Sequence, residues 1–541
     1  MKKYIFTILF LLSVVNIKAQ SNEERPKLVI GIVVDQMRYD YLTRFWDQYG
    51  EGGFKRIVND GFNFKNNHFN YVPTYTGPGH ASVFSGTTPA GHGIISNSWF
   101  DKFEGQYVYC ASDDSVTPVG TKSNAGKMSP HRMLTTSFAD ENRLFTQLKG
   151  KTIGIALKDR GAILPAGHTA NAAYWFHGSD EARWITSSFY MTELPQWVQD
   201  FNNSGKAKEY LKVWNPIKDI KSYSQSGIDE NTFEGGFAGQ DKAVFPYDLK
   251  NLAKGNGNYE LIKATPFGND LTAEFAKAAI LGEQLGKDNI TDVLTLSFSS
   301  TDYVGHNFGV NSKEIEDTYI RLDMALADFL SFLDENVGKG EYTLFLTADH
   351  GGVDVPGYLK SNKIPAGYYN EAVLRDSLYP FVEKNLGKDL IKNISNGQIF
   401  FDYDKMSESK VELVEAQNKI AHFLLQQDNI YKVFTREQMQ NTEFTEGIAS
   451  KIQNGFNQKR SGDVIYLLDP GYIVYSETGS THGSGYSYDT HVPLLFFGKG
   501  IKKGSSTELS EIPDIAPTIS ALLGIEFPNG TTGHPLKALL D

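Results

Sequence analysis

Three aspartates and three histidines of this 541-residue chain fall in four short pieces that could bind metal: Asp35, Asp302 with His306, Asp349 with His350, and His482. Carboxylate oxygen together with imidazole nitrogen suits Zn²⁺ at a catalytic centre. Asp302 and His306 are four residues apart, so they share one face if their segment is helical, and Gly305 lets backbone come close beside them. Asp349 and His350 precede Gly351-Gly352, a turning chain on which adjacent ligands can reach a metal from different directions. His482 lies in Ser480-Thr481-His482-Gly483-Ser484, where a histidine has little reason to pack in a core. A single Asp-His pair is more often a surface feature. Four such pieces together point to two ions with three protein ligands each. Two ions about 4 Å apart clamp the attacking and leaving oxygens of an in-line displacement, which suits a phosphoryl group.

A nucleophile for that chemistry is offered by residues 71–80, Tyr-Val-Pro-Thr-Tyr-Thr-Gly-Pro-Gly-His. Thr76 precedes Gly77-Pro78-Gly79, so its hydroxyl can sit at a helix N-terminus, where backbone N–H groups favour an alkoxide and a phosphate alike. Thr74 is the competing hydroxyl and can instead cap the turn. Asn97 could donate its amide to a phosphoryl oxygen, or simply shape a turn. Lys158 and Arg160 follow a strand-like 152–157, and alternation would turn both the same way. Arginine grips two phosphate oxygens and lysine adds a point charge; a solvated charge cluster is the alternative. A monoester carries one more negative charge than a diester, so two cations favour the monoester. Cys110, the only cysteine, has no evident activating neighbour and reads as a core residue.

These residues need elements to hold them. Residues 27–34, 293–299 and 342–347 are apolar runs of the kind a strand covered on both faces requires, and each leads to an acid. In open α/β sheets the C-terminal ends of the strands are where ligands bind. Residues 312–336 carry an amphipathic helix with Asn311 or Ser312 to cap it. Further helices are expected at 80–96, opening after Pro78-Gly79, at 271–285 with Asp270 as cap, and at 514–523; 493–498 is a short strand. The fold class is therefore α/β: a mostly parallel central sheet with helices on both faces. Residues 100–245 and 355–475 differ in texture and are expected to be inserted cap regions of one catalytic domain spanning 21–541.

Residues 1–20 stand apart. Lys2 and Lys3 precede an eleven-residue apolar run at 5–15, too short to span a membrane, with Ala19 suited to precede a cleavage point. A cleaved signal peptide is the reading, with a buried first strand as the alternative. The product is expected in the periplasm or released, with no stable membrane anchor. Losing Lys2, Lys3 and Lys18 takes the formal charge from -12 to -15, which argues against a nucleic-acid binder. With one cysteine there is no internal disulfide, and no interface signal appears, so a monomer is expected.

In their order along the chain, Asp35, the threonine turn, Asp302-x-x-x-His306, Asp349-His350 and Thr481-His482-Gly483 resemble the alkaline phosphatase superfamily, and more narrowly its phosphate-irrepressible PafA-type alkaline phosphatases, a branch related to nucleotide pyrophosphatase/phosphodiesterases. The resemblance covers essentially the whole mature chain. It implies two Zn²⁺, one held by Asp302, His306 and His482, the other by Asp35, Asp349 and His350 with Thr76 bonded to it. It implies that Thr76 is the nucleophile of a phosphothreonine route, that Asn97, Lys158 and Arg160 hold the phosphoryl oxygens, and that small phosphate monoesters of broad range are the substrates. Serine-using members of the superfamily carry a third, Mg²⁺ site; no separate set of acids here demands one. The competing readings are a phosphodiesterase or nucleotide pyrophosphatase with the same metals, a manganese-preferring phosphoglycerate mutase, and a periplasmic zinc- or phosphate-binding protein.

Overall fold

The computed structural model describes residues 25–540; the leader read at 1–20 lies outside them. Ten strands form the central sheet: β1 Leu28–Val34, β2 Phe62–His68, β3 Pro118–Val119, β4 Thr152–Ala156, β5 Ala172–His177, β6 Arg183–Ser187, β7 Asp292–Phe298, β8 Tyr342–Thr347, β9 Leu494–Gly498 and β10 Gly504–Glu511. Their order across the sheet is β10-β2-β9-β8-β1-β7-β4-β5-β6-β3. From β8 to β5 every neighbour is parallel, while β9 and β6 run against both of their neighbours. The sheet is thus mostly parallel, but mixed.

Every residue of β1, β4, β7 and β8 is buried, as their unbroken apolar runs require when helices flank the sheet. The helices that matter for the site are α1 Thr76–Ser85, α2 Asp159–Ala166, α3 Phe267–Glu283, α4 Ser300–Phe308, α5 Lys313–Leu333 and α6 Ile515–Leu523. One group packs α1 against α2 and α6; the other packs α3, α4 and α5 together. Among the described residues, no helix is long and apolar enough to cross a membrane.

Three local expectations are corrected. Helix α1 opens at Thr76, ahead of Pro78-Gly79: a proline in the first turn lacks an N–H that would have no intrahelical partner there anyway. Helix α3 starts at Phe267, so Asp270 lies in its first turn, not at its cap, and favours the helix through the dipole. The larger difference concerns 152–187, which the sequence places within an insertion. It supplies β4, β5 and β6, with α2 as the crossover between parallel β4 and β5. Aromatic and small residues there hide an ordinary βαβ unit. Ser312 caps α5, its hydroxyl accepting from Ile315 N. Residues 391–468 include a separate four-stranded antiparallel sheet, with an apolar core of its own built on Leu378, Ile399, Ile420 and Val464.

Candidate active site

Four adjacent parallel strands, in the order β8, β1, β7, β4, end at one place. Asp349 follows β8 by two residues, Asp35 follows β1 directly, Asp302 lies in the first turn of α4 just beyond β7, and Lys158 follows β4 by two. Sheet order alone therefore sets three carboxylates and one ammonium side by side. Lys158 Nζ donates to Asp35 Oδ2 at 2.6 Å and to Asp302 Oδ2.

The histidines close the cluster. His306, one turn after Asp302 in α4, has Nε2 3.1 Å from Asp302 Oδ1. His482 Nε2 is 3.6 Å from the same oxygen. His350 Nε2 is 3.5 Å from Asp35 Oδ1 and 3.6 Å from Asp349 Oδ2. Each ring is oriented by a main-chain carbonyl: His306 Nδ1 on Ser480 O at 2.7 Å, His350 Nδ1 on Gly351 O at 2.9 Å, His482 Nδ1 on Thr74 O at 2.8 Å. A carbonyl only accepts, so each Nδ1 carries a proton, and the Nε2 of a neutral ring presents its lone pair to the centre. The rings of His350 and His482 stack with centroids 3.4 Å apart.

Electrostatics favour cations here. Burial, Asp302 and Asp349 raise the Asp35 pKa well above the carboxylate range, although Lys158 opposes them. Burial works against the Asp302 charge too, but His306 and Lys158 hold its pKa well below that range. Burial, then His350 and His306, keeps His482 far below the usual imidazole range, hence neutral and ready to ligate. Asp35 Oδ1 is buried with no hydrogen-bond partner among the described residues, and Asp349 Oδ2, also buried, has His80 Nδ1 3.3 Å away but makes no well-formed hydrogen bond. Orphaned carboxylate oxygens facing neutral imidazole lone pairs fit metal ions. Two groups meet within ligating reach: Asp302, His306 and His482, and Asp35, Asp302 and His350. In the second, Asp302 stands where the resemblance implies Asp349. Lys158 bridges Asp302 and Asp35, and Asp349 Oδ2 lies between His80 and His350.

The buried Thr76, first residue of α1, has Oγ1 3.5 Å from His350 Nε2 and accepts from Arg160 Nη2 at 3.4 Å. Thr74, its competitor, gives its hydroxyl to Ser484 O at 2.8 Å. Asn97 Oδ1 accepts from Gly77 N at 2.7 Å, which fixes the amide beside Thr76. Lys158 and Arg160 reach the centre by a route other than strand alternation: Lys158 is the N-cap of α2 and Arg160 lies in its first turn. Cys110 is buried, and burial pushes its thiol up to about 12, so it stays protonated.

Some contributors escaped the sequence reading. Gln36, at φ 61°, donates its main-chain N–H to Asp349 Oδ1 at 3.1 Å and Nε2 to Asp302 Oδ1 at 2.9 Å. A Cβ on Gly305 would lie 1.9 Å from Gln36 Oε1, so a larger residue there would push Gln36 away from Asp302. His80 bonds Thr76 O at 2.9 Å through Nδ1; its place four residues after Thr76 was the available signal. Tyr109 donates to Asp159 and accepts from Arg160 Nη1 at 3.1 Å, holding the guanidinium in place. Nothing in the sequence near Tyr109 pointed to α2.

The family model described as type I phosphodiesterase / nucleotide pyrophosphatase matches residues 29–492. Identity to alkaline phosphatase PafA of Elizabethkingia meningoseptica is 43% over 546 aligned residues, covering 100% of this chain and 99% of that one. The chain belongs to the PafA-type alkaline phosphatases. Alkaline phosphatase PhoV of Synechococcus elongatus is 44% identical, with 95% of this chain and 93% of that one covered. The crystal structure of wild-type alkaline phosphatase PafA superposes with a TM-score of 0.91 at 44% identity, over 96% of this chain and 99% of that one. This PafA-type enzyme thus shares its fold over nearly its full length with a solved member.

Proposed function

We propose that this alkaline phosphatase hydrolyses small phosphate monoesters of broad leaving-group range through a phosphothreonine on Thr76, with two Zn²⁺ per chain. The observation that carries the reading is the Thr76 hydroxyl, buried at the start of α1 between His350 Nε2 and Arg160 Nη2. Asp302, His306 and His482 would hold one ion, and Asp35, Asp349 and His350 the other. When bound, the ions supply the charge that activates an oxygen nucleophile and stabilises a departing alkoxide.

The residues do the rest. Thr76 Oγ1 forms a bond to phosphorus in line as the ester P–O bond breaks, and the alcohol leaves. Water then forms the second bond to phosphorus, the P–Oγ1 bond breaks, and inorganic phosphate departs. The Arg160 guanidinium, fixed by Tyr109, grips phosphoryl oxygens, and Asn97, anchored on Gly77 N, offers its amide. Lys158, between Asp35 and Asp302, adds a second positive charge. The family model's description favours a phosphodiesterase; two cations on the phosphoryl group favour the dianionic monoester. Export to the periplasm, action as a monomer without nucleic acid, and one catalytic domain over 21–541 belong to the same proposal.

The test is hydrolysis of an aryl phosphate by native, chelated and Thr76→Ala protein, with acid quench to trap the phosphoenzyme. Turnover should vanish on chelation and return with zinc. Thr76→Ala should give no phosphothreonine and lose about three orders of magnitude or more in rate. Label on any other residue would defeat the assignment.

A further inference from the structure

Gln36 touches ligands of both proposed ions at once. It follows Asp35 directly, just beyond the C-terminal end of β1. Its main-chain N–H donates to Asp349 Oδ1 at 3.1 Å, and its side-chain Nε2 donates to Asp302 Oδ1 at 2.9 Å. One residue thus binds a carboxylate of each three-ligand set, and its peptide neighbour supplies a third. The other oxygens of the two bound carboxylates face different groups: Asp302 Oδ2 meets Lys158, and Asp349 Oδ2 lies between His80 and His350.

The backbone at Gln36 is left-handed, with φ 61°. Glycine or asparagine takes that region with less strain, yet glycine has no amide and that of asparagine is one methylene short. Rotation about φ turns the side chain relative to the N–H, so a change in φ moves one of the two bonds against the other. Two glycines leave the slot that the carboxamide fills. A Cβ on Gly305, which lies in α4 between Asp302 and His306, would be 1.9 Å from Gln36 Oε1, and one on Gly352, two residues after His350, would be 3.2 Å from Gln36 Cδ. Each glycine therefore stands on a segment that carries one Asp-His pair of ligands. Gln36 is buried, and a buried carboxylate that loses its donor is left unsatisfied.

We propose that Gln36 is a positioning residue that links the two metal sites, holding Asp302 for one ion and Asp349 for the other; this rests on the two-zinc reading above. Without the amide bond, φ is free to relax, and the N–H on Asp349 and the peptide of Asp35 move with it. Loss of the side chain therefore weakens both ions, not only the one whose ligand it touches.

The experiment is zinc titration of the chelator-stripped full chain against a chromophoric chelator, which reads two dissociation constants without any turnover. The native chain should bind two Zn²⁺. Gln36→Met keeps the length of the side chain and removes the donor; both dissociation constants should rise by about ten- to a hundredfold, the scale for losing an outer-shell partner of a ligand. Gly305→Ala keeps Gln36 and fills its slot, and should reproduce that loss, although alanine ordinarily favours a helix interior; it also serves where Gln36→Met does not fold. In Gln36→Ala/Gly305→Ala the new Cβ meets no carboxamide, so the double variant should lose no more than about the larger of its single losses. Weakening of one ion alone overturns the link, as do losses that multiply in the double variant. A native chain that binds fewer than two Zn²⁺ would remove the two-zinc reading and the link with it; two ions bound as in the native chain by Gln36→Met and Gly305→Ala would remove the link alone.

Discussion

Lys158→Met tests how the site's charges balance. The Lys158 ammonium touches two buried carboxylates, Asp35 and Asp302, with Asp349 close behind. Methionine keeps the stem and removes the charge. Removing one partner from a buried ion pair costs about 3–5 kcal/mol, so metal-free Lys158→Met should be less stable by about that much at alkaline pH. The loss should shrink towards acid. Burial, Asp302 and Asp349 already raise the Asp35 pKa, and losing Lys158 raises it further. A raised carboxyl contributes stability that is present below its unfolded pKa and lost as pH rises through its folded one. Bound zinc replaces the missing charge, so the penalty in the metal-loaded variant should fall below about 1–2 kcal/mol. Urea titrations of chelated and zinc-loaded protein, at two pH values, read all four corners. An equal penalty with and without zinc would mean that Lys158 acts through packing alone and not through its charge.

A Cβ on Gly79 would lie 2.2 Å from Asp349 O, so Gly79→Ala should destabilise by about 1–3 kcal/mol and weaken zinc retention; a melt within half a degree of native would count against this packing. Arg160→Ala should lower monoester kcat/KM by about 100-fold or more and diester turnover far less; equal losses on both would place the guanidinium away from the extra phosphoryl charge. Outside the site, burial and Asp229 push Glu234 from 4.5 to about 8, and burial and Glu234 raise Glu314. The Glu234 contribution to stability is full below about 4.5 and lost as pH rises through about 8, and that of Glu314 is lost in the same direction. Glu314→Gln should flatten that decline by roughly 1–2 kcal/mol, which melting temperatures across pH would show.

The chemistry was more legible in the sequence than the architecture. Asp35, Asp302 and Asp349 stood out because each follows an apolar run, and strand order then brings them together without further instruction. Thr76 was distinguished from Thr74 only by its glycines; the structure separates them by what each hydroxyl touches. Residues 152–157 and 172–176 read as strand-like, but the β4-α2-β5 unit was missed because the helix between them is short and has Pro165 inside it, so no helical period joins the two strands. Gln36 and Tyr109 act across 266 and 51 residues of chain; no local pattern announces a long-range hydrogen bond.

If the metal centre, Thr76 and the two cations form a monoesterase, the extra charge of the monoester must be what they select. The most direct measurement is kcat/KM of the zinc-loaded enzyme for an aryl phosphate against the matching methyl aryl phosphate diester, repeated in Lys158→Ala/Arg160→Ala. A monoester preference of several orders of magnitude is expected in the native enzyme, with its near disappearance in the double variant. A native preference for the diester, or a monoester preference that the double variant keeps, would contradict it.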